Sequence, residues 1–284
     1  MREPIEVRRT EVMMMRIYLQ AIVLLIASTS HSAETAFMQG LGDVRYHHVN
    51  SEVVGRSYHI YVRLPAGYEE TDQDYPTLYL LDGGNIFPML APYYQYLNFG
   101  EEVPEMIIVG ISYGSDTFEG GNFRSTDFTA PSEARERWGG APRFQAFLRD
   151  ELFPIIENGY RSNENRRIVF GQSLGGQFVL YTALTQPKLF SAHIASNPAL
   201  HRNLEFFLQD HADYAGPTQS QLFVASGTDD DPRFRDPAVT WIRHWNAHQQ
   251  VPWQFKAVDL DGHSHMSAPP AAFRQGLIWI FNSD

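Results

Sequence analysis

A serine framed by glycines, in the segment Gly-Gln-Ser-Leu-Gly-Gly at 171–176, constrains the fold of this chain more than any other feature. The β-branched and aromatic run before it, 167–170, favours a short buried strand, and 177–184 favours a helix with apolar residues on most faces. A strand that turns directly into a helix holds the intervening Ser173 on a sharp, strained turn, and this requires nearly side-chain-free neighbours two residues away on either side. Both neighbours are glycine. The segment therefore predicts a strand–turn–helix unit that exposes a serine hydroxyl at its tip, as a nucleophile elbow does.

The rest of the chain changes from antiparallel strand patterns to an alternation of buried strands and helices. The runs 45–50 and 57–64 alternate apolar and polar residues, which is typical of an antiparallel pair. After them come strand candidates at 76–81, 106–111, 167–170, 192–195, 222–225 and 253–258, with helix candidates at 87–97, 142–159, 174–186, 203–213, 237–249 and 269–281. Pro154 predicts a kink or break within the second of these helices. The pattern predicts an α/β fold with a mainly parallel central sheet, antiparallel N-terminal strands and helices on both faces.

The N-terminus has the pattern of a secretory signal peptide. Arginines precede an apolar run at 17–27, and small residues follow it up to Ala33. The apolar run is too short to span a bilayer, which takes about 20 apolar residues. We therefore expect a signal peptide at 1–33, a single catalytic domain at 34–284, a periplasmic or secreted location, and no stable membrane insertion once the signal is removed.

Charge and residue types exclude several classes of function. The net charge of −11 argues against nucleic acid as the main partner, because binding to phosphates requires a basic surface. The chain contains no cysteine, so no disulfide stabilises it outside the cytoplasm. His244 and His248 are four residues apart on a predicted helix, but there is no H-E-x-x-H motif, and we expect neither metal catalysis nor a cofactor.

A serine hydroxyl needs a histidine base oriented by a carboxylate, and the chain offers candidates for both. In strand–turn–helix enzymes of this kind the order along the chain is serine, acid, base. The acidic triplet 229–231 follows the strand candidate 222–225, and His263 and His265 follow the last strand candidate. The order along the chain does not decide which of the three aspartates is the acid or which of the two histidines is the base.

One long connection, 113–141, is rich in Gly, Ser and Asp and has little apolar periodicity. Loops of this length within a compact domain are usually functional or disordered. It follows a strand expected to lie parallel to the one before Ser173, so it starts at the edge of the sheet where ligands bind. Arg124 in this connection is a candidate for binding an anionic group of the substrate, and a bridge to Asp127 is the alternative.

Four motifs resemble the esterase D and siderophore-esterase branch of the α/β-hydrolase superfamily, from about residue 50 to the end. They are Leu80-Leu81-Asp82-Gly83-Gly84, Gly139-Gly140-Ala141, the serine segment 171–176, and His265 followed by Pro269. The pair Arg124 and Asp127 ahead of Gly139 is similar to a pair in the siderophore-esterase-like members. Gln172 departs from the histidine that is common beside the nucleophile, which leaves the chemistry intact and bears on substrate selectivity.

The resemblance implies a role for each candidate residue. It favours Asp230 as the acid over Asp229 and Asp231, and His265 as the base over His263. The two amides that stabilise the oxyanion are expected from Leu174, the residue after the nucleophile, and, by resemblance, from Gly84.

Together these features predict a serine esterase that acts on a small-molecule ester without a cofactor. An acyltransferase with the same residues and a non-catalytic binding protein on a hydrolase scaffold are the alternatives. The sequence leaves the ester and the oligomeric state open.

Overall fold

A computed structural model of the protein describes residues 40–132, 136–209, 220–248 and 251–282. The predicted signal peptide at 1–33 lies outside the described residues. Among the described helices, none combines the length and the hydropathy needed to cross a membrane.

A central β-sheet organises the described part of the chain. Eight strands are found there, in the order β1-β2-β4-β3-β5-β6-β7-β8. The pairs β1–β2 and β2–β4 are antiparallel, and every other neighbouring pair is parallel. The strands are β1 Val44–Ser51, β2 Arg56–Arg63, β3 Tyr75–Leu80, β4 Ile107–Ser112, β5 Ser162–Gln172, β6 Ala192–Ser196, β7 Gln221–Gly227 and β8 Gln254–Leu260. The prediction of a mainly parallel sheet with antiparallel N-terminal strands is confirmed.

Both faces of the sheet are covered, and each supports its own apolar core. Successive side chains of a strand point to opposite faces, so Tyr79 belongs to one core and Leu80 to the other. Every residue of β4, β6 and β7 is buried, as expected for strands in the middle of a sheet with helices on both sides.

The helices that cover the sheet follow the predicted alternation, with differences at their ends. They are α1 Ile86–Phe99, α2 Arg124–Asp127, α3 Ala141–Phe147, α4 Phe153–Gly159, α5 Leu174–Thr185, α6 Leu204–Phe207, α7 Pro232–Asn246 and α8 Ala268–Asn282. The predicted helix at 203–213 is helical only as the short α6, and its last residues lie outside the described part.

The start of α7 and the break before α4 have local causes. Helix α7 begins five residues before the predicted start at 237, because the Asp231 carboxylate accepts a hydrogen bond from the Arg233 amide (2.8 Å) and Pro232 suits the first helical turn. Between α3 and α4, Leu148–Leu152 forms a wider π-helical turn, and Pro154 lies in the first turn that follows. The helix is therefore interrupted just before Pro154, close to the break that this proline predicted.

Candidate active site

Ser173 occupies a strained turn between β5 and α5. Its φ of 59° and ψ of −114° lie outside the regions that a side chain normally allows. A Cβ placed on Gly171 would lie 2.3 Å from the Gly175 carbonyl carbon, and one on Gly176 would lie 2.9 Å from the Ser196 carbonyl oxygen. Glycine at these positions lets the turn close tightly. The prediction that both neighbours two residues from Ser173 must be nearly side-chain-free holds at Gly171, whereas a Cβ on Gly175 would make only ordinary contacts of 3.5 Å with Asp82 and Leu81.

Asp230 and His265 meet beside this turn. Asp230 follows β7, His265 lies between β8 and α8, and His265 Nδ1 donates a 2.8 Å hydrogen bond to Asp230 Oδ2. The Asp230 side chain is almost fully buried, whereas that of His265 is 16% exposed. Because the carboxylate holds the proton on Nδ1, Nε2 remains as the nitrogen able to accept a proton.

The neighbouring candidates have other partners. The Asp229 carboxylate accepts a hydrogen bond from the Thr228 hydroxyl on the surface, and Asp231 caps α7. The Nδ1 of His263 pairs with the Asp261 carbonyl oxygen (2.9 Å). Of the acids and histidines proposed from the sequence, the structure brings together Asp230 and His265.

Two residues that were not predicted from the sequence hold this pair in place. Asn197 Nδ2 donates to Asp230 Oδ2 (2.8 Å), while its Oδ1 accepts the Gly227 amide (3.1 Å). The Phe234 ring stacks on the His265 imidazole, with centroids 4.4 Å apart. The position of Asn197 directly after β6 was the available signal, because polar residues at the carboxyl ends of parallel strands gather at one edge.

Gln172 links the serine turn to the histidine loop. Its side-chain amide donates a 2.7 Å hydrogen bond to the backbone carbonyl of His265, and it also forms part of the cavity wall beside Ser173. Gln172 and Arg124 are the two residues expected to contact substrate. The Nε2 of Gln172 is already hydrogen-bonded to the backbone of the protein.

The two amides proposed for the oxyanion belong to the residue that follows the serine and to the turn after β3, the strand that pairs with β5. Leu174 begins α5, and the first N–H groups of a helix have no intrahelical acceptor. Gly84, in the turn after β3, lines the same cavity as Ser173, and its amide donates no hydrogen bond within the described part of the chain. The preceding Gly83 packs against β4, where a Cβ would lie 2.5 Å from the Ile111 nitrogen.

Arg124 pairs with Asp82, so the alternative of a bridge between Arg124 and Asp127 is wrong. Arg124 Nε and Nη2 donate to the two Asp82 oxygens at 2.6 and 2.7 Å. Asp82 itself has a positive φ of 54°, and its carbonyl oxygen accepts the amides of Asn85 and Ile86. This bidentate ion pair joins the long connection to the turn that carries Gly84.

Asp127 instead anchors the long connection to β2. Its fully buried carboxylate accepts hydrogen bonds from Arg56 Nη1 (2.9 Å), the Tyr58 hydroxyl (2.8 Å) and the Tyr113 hydroxyl (3.1 Å). Burial raises the pKa of Asp127 to about 6, and Arg56 and the two hydroxyls offset only part of that effect. Arg124 and Asp127 both lie on the short helix α2, but they have different partners and do not bond to each other.

These residues surround a cavity of about 670 Å³ at the carboxyl edge of the sheet. Ser173, His265, Gln172, Gly84 and Arg124 all line it. No group of three or more His, Asp or Glu side chains placed to hold a metal ion is found in the described ranges. The arrangement offers a half-buried serine that lines the cavity, a histidine paired with a buried acid, and two candidate backbone amides.

Comparison with known proteins agrees with this geometry. The model of the Esterase family, described as "Putative esterase", matches residues 51–279. The ferri-bacillibactin esterase BesA of Bacillus subtilis (strain 168) is 35% identical over 259 residues, which cover 83% of this chain and 89% of BesA.

Two solved structures share the fold. An IroE-like serine hydrolase from Shewanella oneidensis has a TM-score of 0.72 and 24% identity, covering 84% of this chain and 80% of its own. The enterobactin hydrolase IroE in complex with DFP has a TM-score of 0.65 and 24% identity, covering 84% of this chain and 94% of its own. The chain therefore belongs to the Esterase family and is a serine ester hydrolase with the α/β-hydrolase fold.

Proposed function

We propose that this chain hydrolyses a carboxylic ester of a siderophore-type small molecule, with Ser173 as nucleophile, His265 as base and Asp230 as the acid that orients the base. The observation that carries the proposal is the 2.8 Å hydrogen bond between His265 and the buried Asp230, next to a strained Ser173 that lines the same cavity. The names of relatives such as BesA support the substrate class. The signal-like segment 1–33 supports action in the periplasm or outside the cell.

The proposed reaction follows from the positions of these groups. His265 Nε2 removes the proton as Ser173 Oγ attacks the ester carbonyl, and Asp230 stabilises the resulting imidazolium. The amides of Leu174 and Gly84 donate hydrogen bonds to the oxyanion, which forms only after attack. The imidazolium then protonates the departing alcohol, and water, activated by the same histidine, releases the acid from the acyl-enzyme.

The dimensions of the cavity support a small-molecule ester. Its volume of about 670 Å³ lies within the roughly 300–1,000 Å³ typical of small-molecule sites. Oxygen-containing and aromatic side chains, including Tyr61, Tyr113 and Asn122, line part of the cavity. Such a wall can contact a polar, multiply hydroxylated ligand.

Ser173→Ala should lower kcat/KM for a siderophore lactone by at least about 10⁴-fold, because it removes the attacking oxygen and leaves the binding surface. Chromatography with mass detection should show only the hydrolysed acid from the wild-type protein, even with an added alcohol acceptor. The control Ser57→Ala, on β2 and bonded to Asn50, should retain activity. Turnover by Ser173→Ala at the wild-type rate would contradict the proposal, and an ester of the added alcohol would point to acyl transfer.

His265→Ala should lose as much activity as Ser173→Ala, and the double variant should be little worse than either, because nucleophile and base act as one unit. His263→Ala is the matched control, since its imidazole pairs only with a carbonyl in its own loop among the described contacts. It should retain most of the activity in the same assay. If His263→Ala were inactive and His265→Ala active, the assignment of the base would be reversed.

Arg124→Ala and Asp82→Asn should each lower kcat by on the order of tenfold to a hundredfold, because the turn carrying Gly84 loses its bidentate support. The loss should be equal for nitrophenyl acetate and for a bulky lactone, with KM nearly unchanged and the double variant no worse than the single ones.

Arg124→Lys should not restore the rate, because a lysine cannot form the bidentate pair. The control Arg45→Ala breaks an exposed pair with Asp43 and should have no effect on kcat. A rise in KM confined to the bulky lactone would instead identify Arg124 as a substrate-binding residue.

A further inference from the structure

Ser173 lines a second, smaller cavity on its other side. This cavity has a volume of about 280 Å³, and its described lining includes Trp138, Leu174, His201, Arg202, Arg233 and Phe234. It is smaller than a typical small-molecule site, so it suits one part of a ligand whose remainder lies elsewhere. Because Ser173 lines both cavities, an ester bound at the serine can extend into both.

The two cavities differ in the sign of their charge. Asp82, Asp116 and Arg124 line the larger one, which leaves it with one excess negative charge if His265 is neutral. Arg202 and Arg233 line the smaller one together with Arg124, and no Asp or Glu is present among its described lining residues. Arg124 is neutralised by Asp82, so two positive charges remain on the smaller side.

Aromatic rings support both of these guanidinium groups. Arg202 lies over the Trp138 ring, 5.8 Å from its centroid, and Arg233 lies over the Phe234 ring at 4.4 Å. Neither forms an ion pair with a carboxylate in the described part of the chain. Arg202 Nε also donates a 2.9 Å hydrogen bond to His201 Nε2. Stacking and this bond keep the planar groups in place, while the terminal nitrogens of Arg202 and the guanidinium of Arg233 remain able to bind an anion.

The position of His265 indicates which cavity binds the alcohol half of the ester and which binds the acyl half. His265 must return its proton to the departing alcohol, and it lines the larger cavity and not the smaller one. The alcohol therefore lies on the larger side and the acyl group on the smaller side. The Phe234 ring stacks on the His265 imidazole and also contacts the Arg233 guanidinium.

Building on the proposed function, we propose that the smaller cavity is an acyl-binding subsite that selects an anionic acyl group, with Arg202 and Arg233 as its specificity-determining residues. The preferred ligand carries a carboxylate or another oxyanion on a flat group next to the ester carbonyl. Two guanidinium groups bind such an oxyanion by charge-assisted hydrogen bonds, and the aromatic rings contact the flat group.

The test compares two nitrophenyl esters that differ only in charge, 4-nitrophenyl 4-carboxybenzoate and 4-nitrophenyl 4-carbamoylbenzoate. The wild-type protein at low salt should have a kcat/KM at least about tenfold higher for the charged ester, and roughly 0.5 M NaCl should reduce this preference. In Arg202→Gln/Arg233→Gln the ratio should fall to about one. The control Arg243→Gln, exposed and farther along α7, should keep the wild-type ratio.

Different results would overturn the acyl-binding subsite and the esterase activity. Ser173-dependent hydrolysis of both esters without a preference for the charged one, or a preference retained in the double variant, would overturn the subsite and leave the esterase intact. If neither ester is hydrolysed, calorimetry with terephthalate and terephthalamide tests the cavity directly. Tighter binding of terephthalate that is lost in the double variant supports the subsite, and equal binding overturns it.

Discussion

The strained turn at Ser173 is the constraint on which the rest of the site depends. A non-glycine residue with positive φ costs on the order of 1–3 kcal/mol, so the surroundings must hold it in place. The Ser173 amide donates to the Ser196 carbonyl, and the Ser173 carbonyl accepts the amides of Gln177 and Ala199. These bonds fix the turn between α5 and the end of β6, at the edge where the parallel strands finish.

Each loop that contributes to the site is tied to its neighbour by a polar side chain. Gln172 joins the serine turn to the His265 backbone, Asn197 joins the end of β6 to Asp230, and Arg124 joins the long connection to Asp82. The bonds to the charged groups Asp230 and Asp82 contribute roughly 1.5–3 kcal/mol each, and the neutral bond from Gln172 contributes roughly 0.5–1.5 kcal/mol. These side-chain hydrogen bonds can therefore hold Ser173, His265 and the turn that carries Gly84 in register.

Much of this arrangement could be predicted from the sequence because it follows from the order of elements along the chain. Parallel strands place their carboxyl ends together, so residues after successive strands, such as Asp230 and His265, were expected at one site. The partner of Arg124 could not be predicted in this way. Asp82 lies 42 residues earlier, and their contact depends on the path of an irregular connection that has no periodic pattern. The only indication of Asn197 in the sequence was its position directly after a strand. The start of α7 was missed because it depends on a single capping residue, Asp231.

In the proposed mechanism the turn presents Ser173 Oγ to an ester, and the amides of Leu174 and Gly84 bind the oxyanion that forms. The most direct measurement is a crystal structure of the protein after reaction with a serine-reactive alkylphosphonate. We expect phosphorus bonded to Ser173 Oγ, with one phosphoryl oxygen within about 3 Å of the amide nitrogens of Leu174 and Gly84. An adduct on another residue, or a phosphoryl oxygen that points away from both amides, would contradict it.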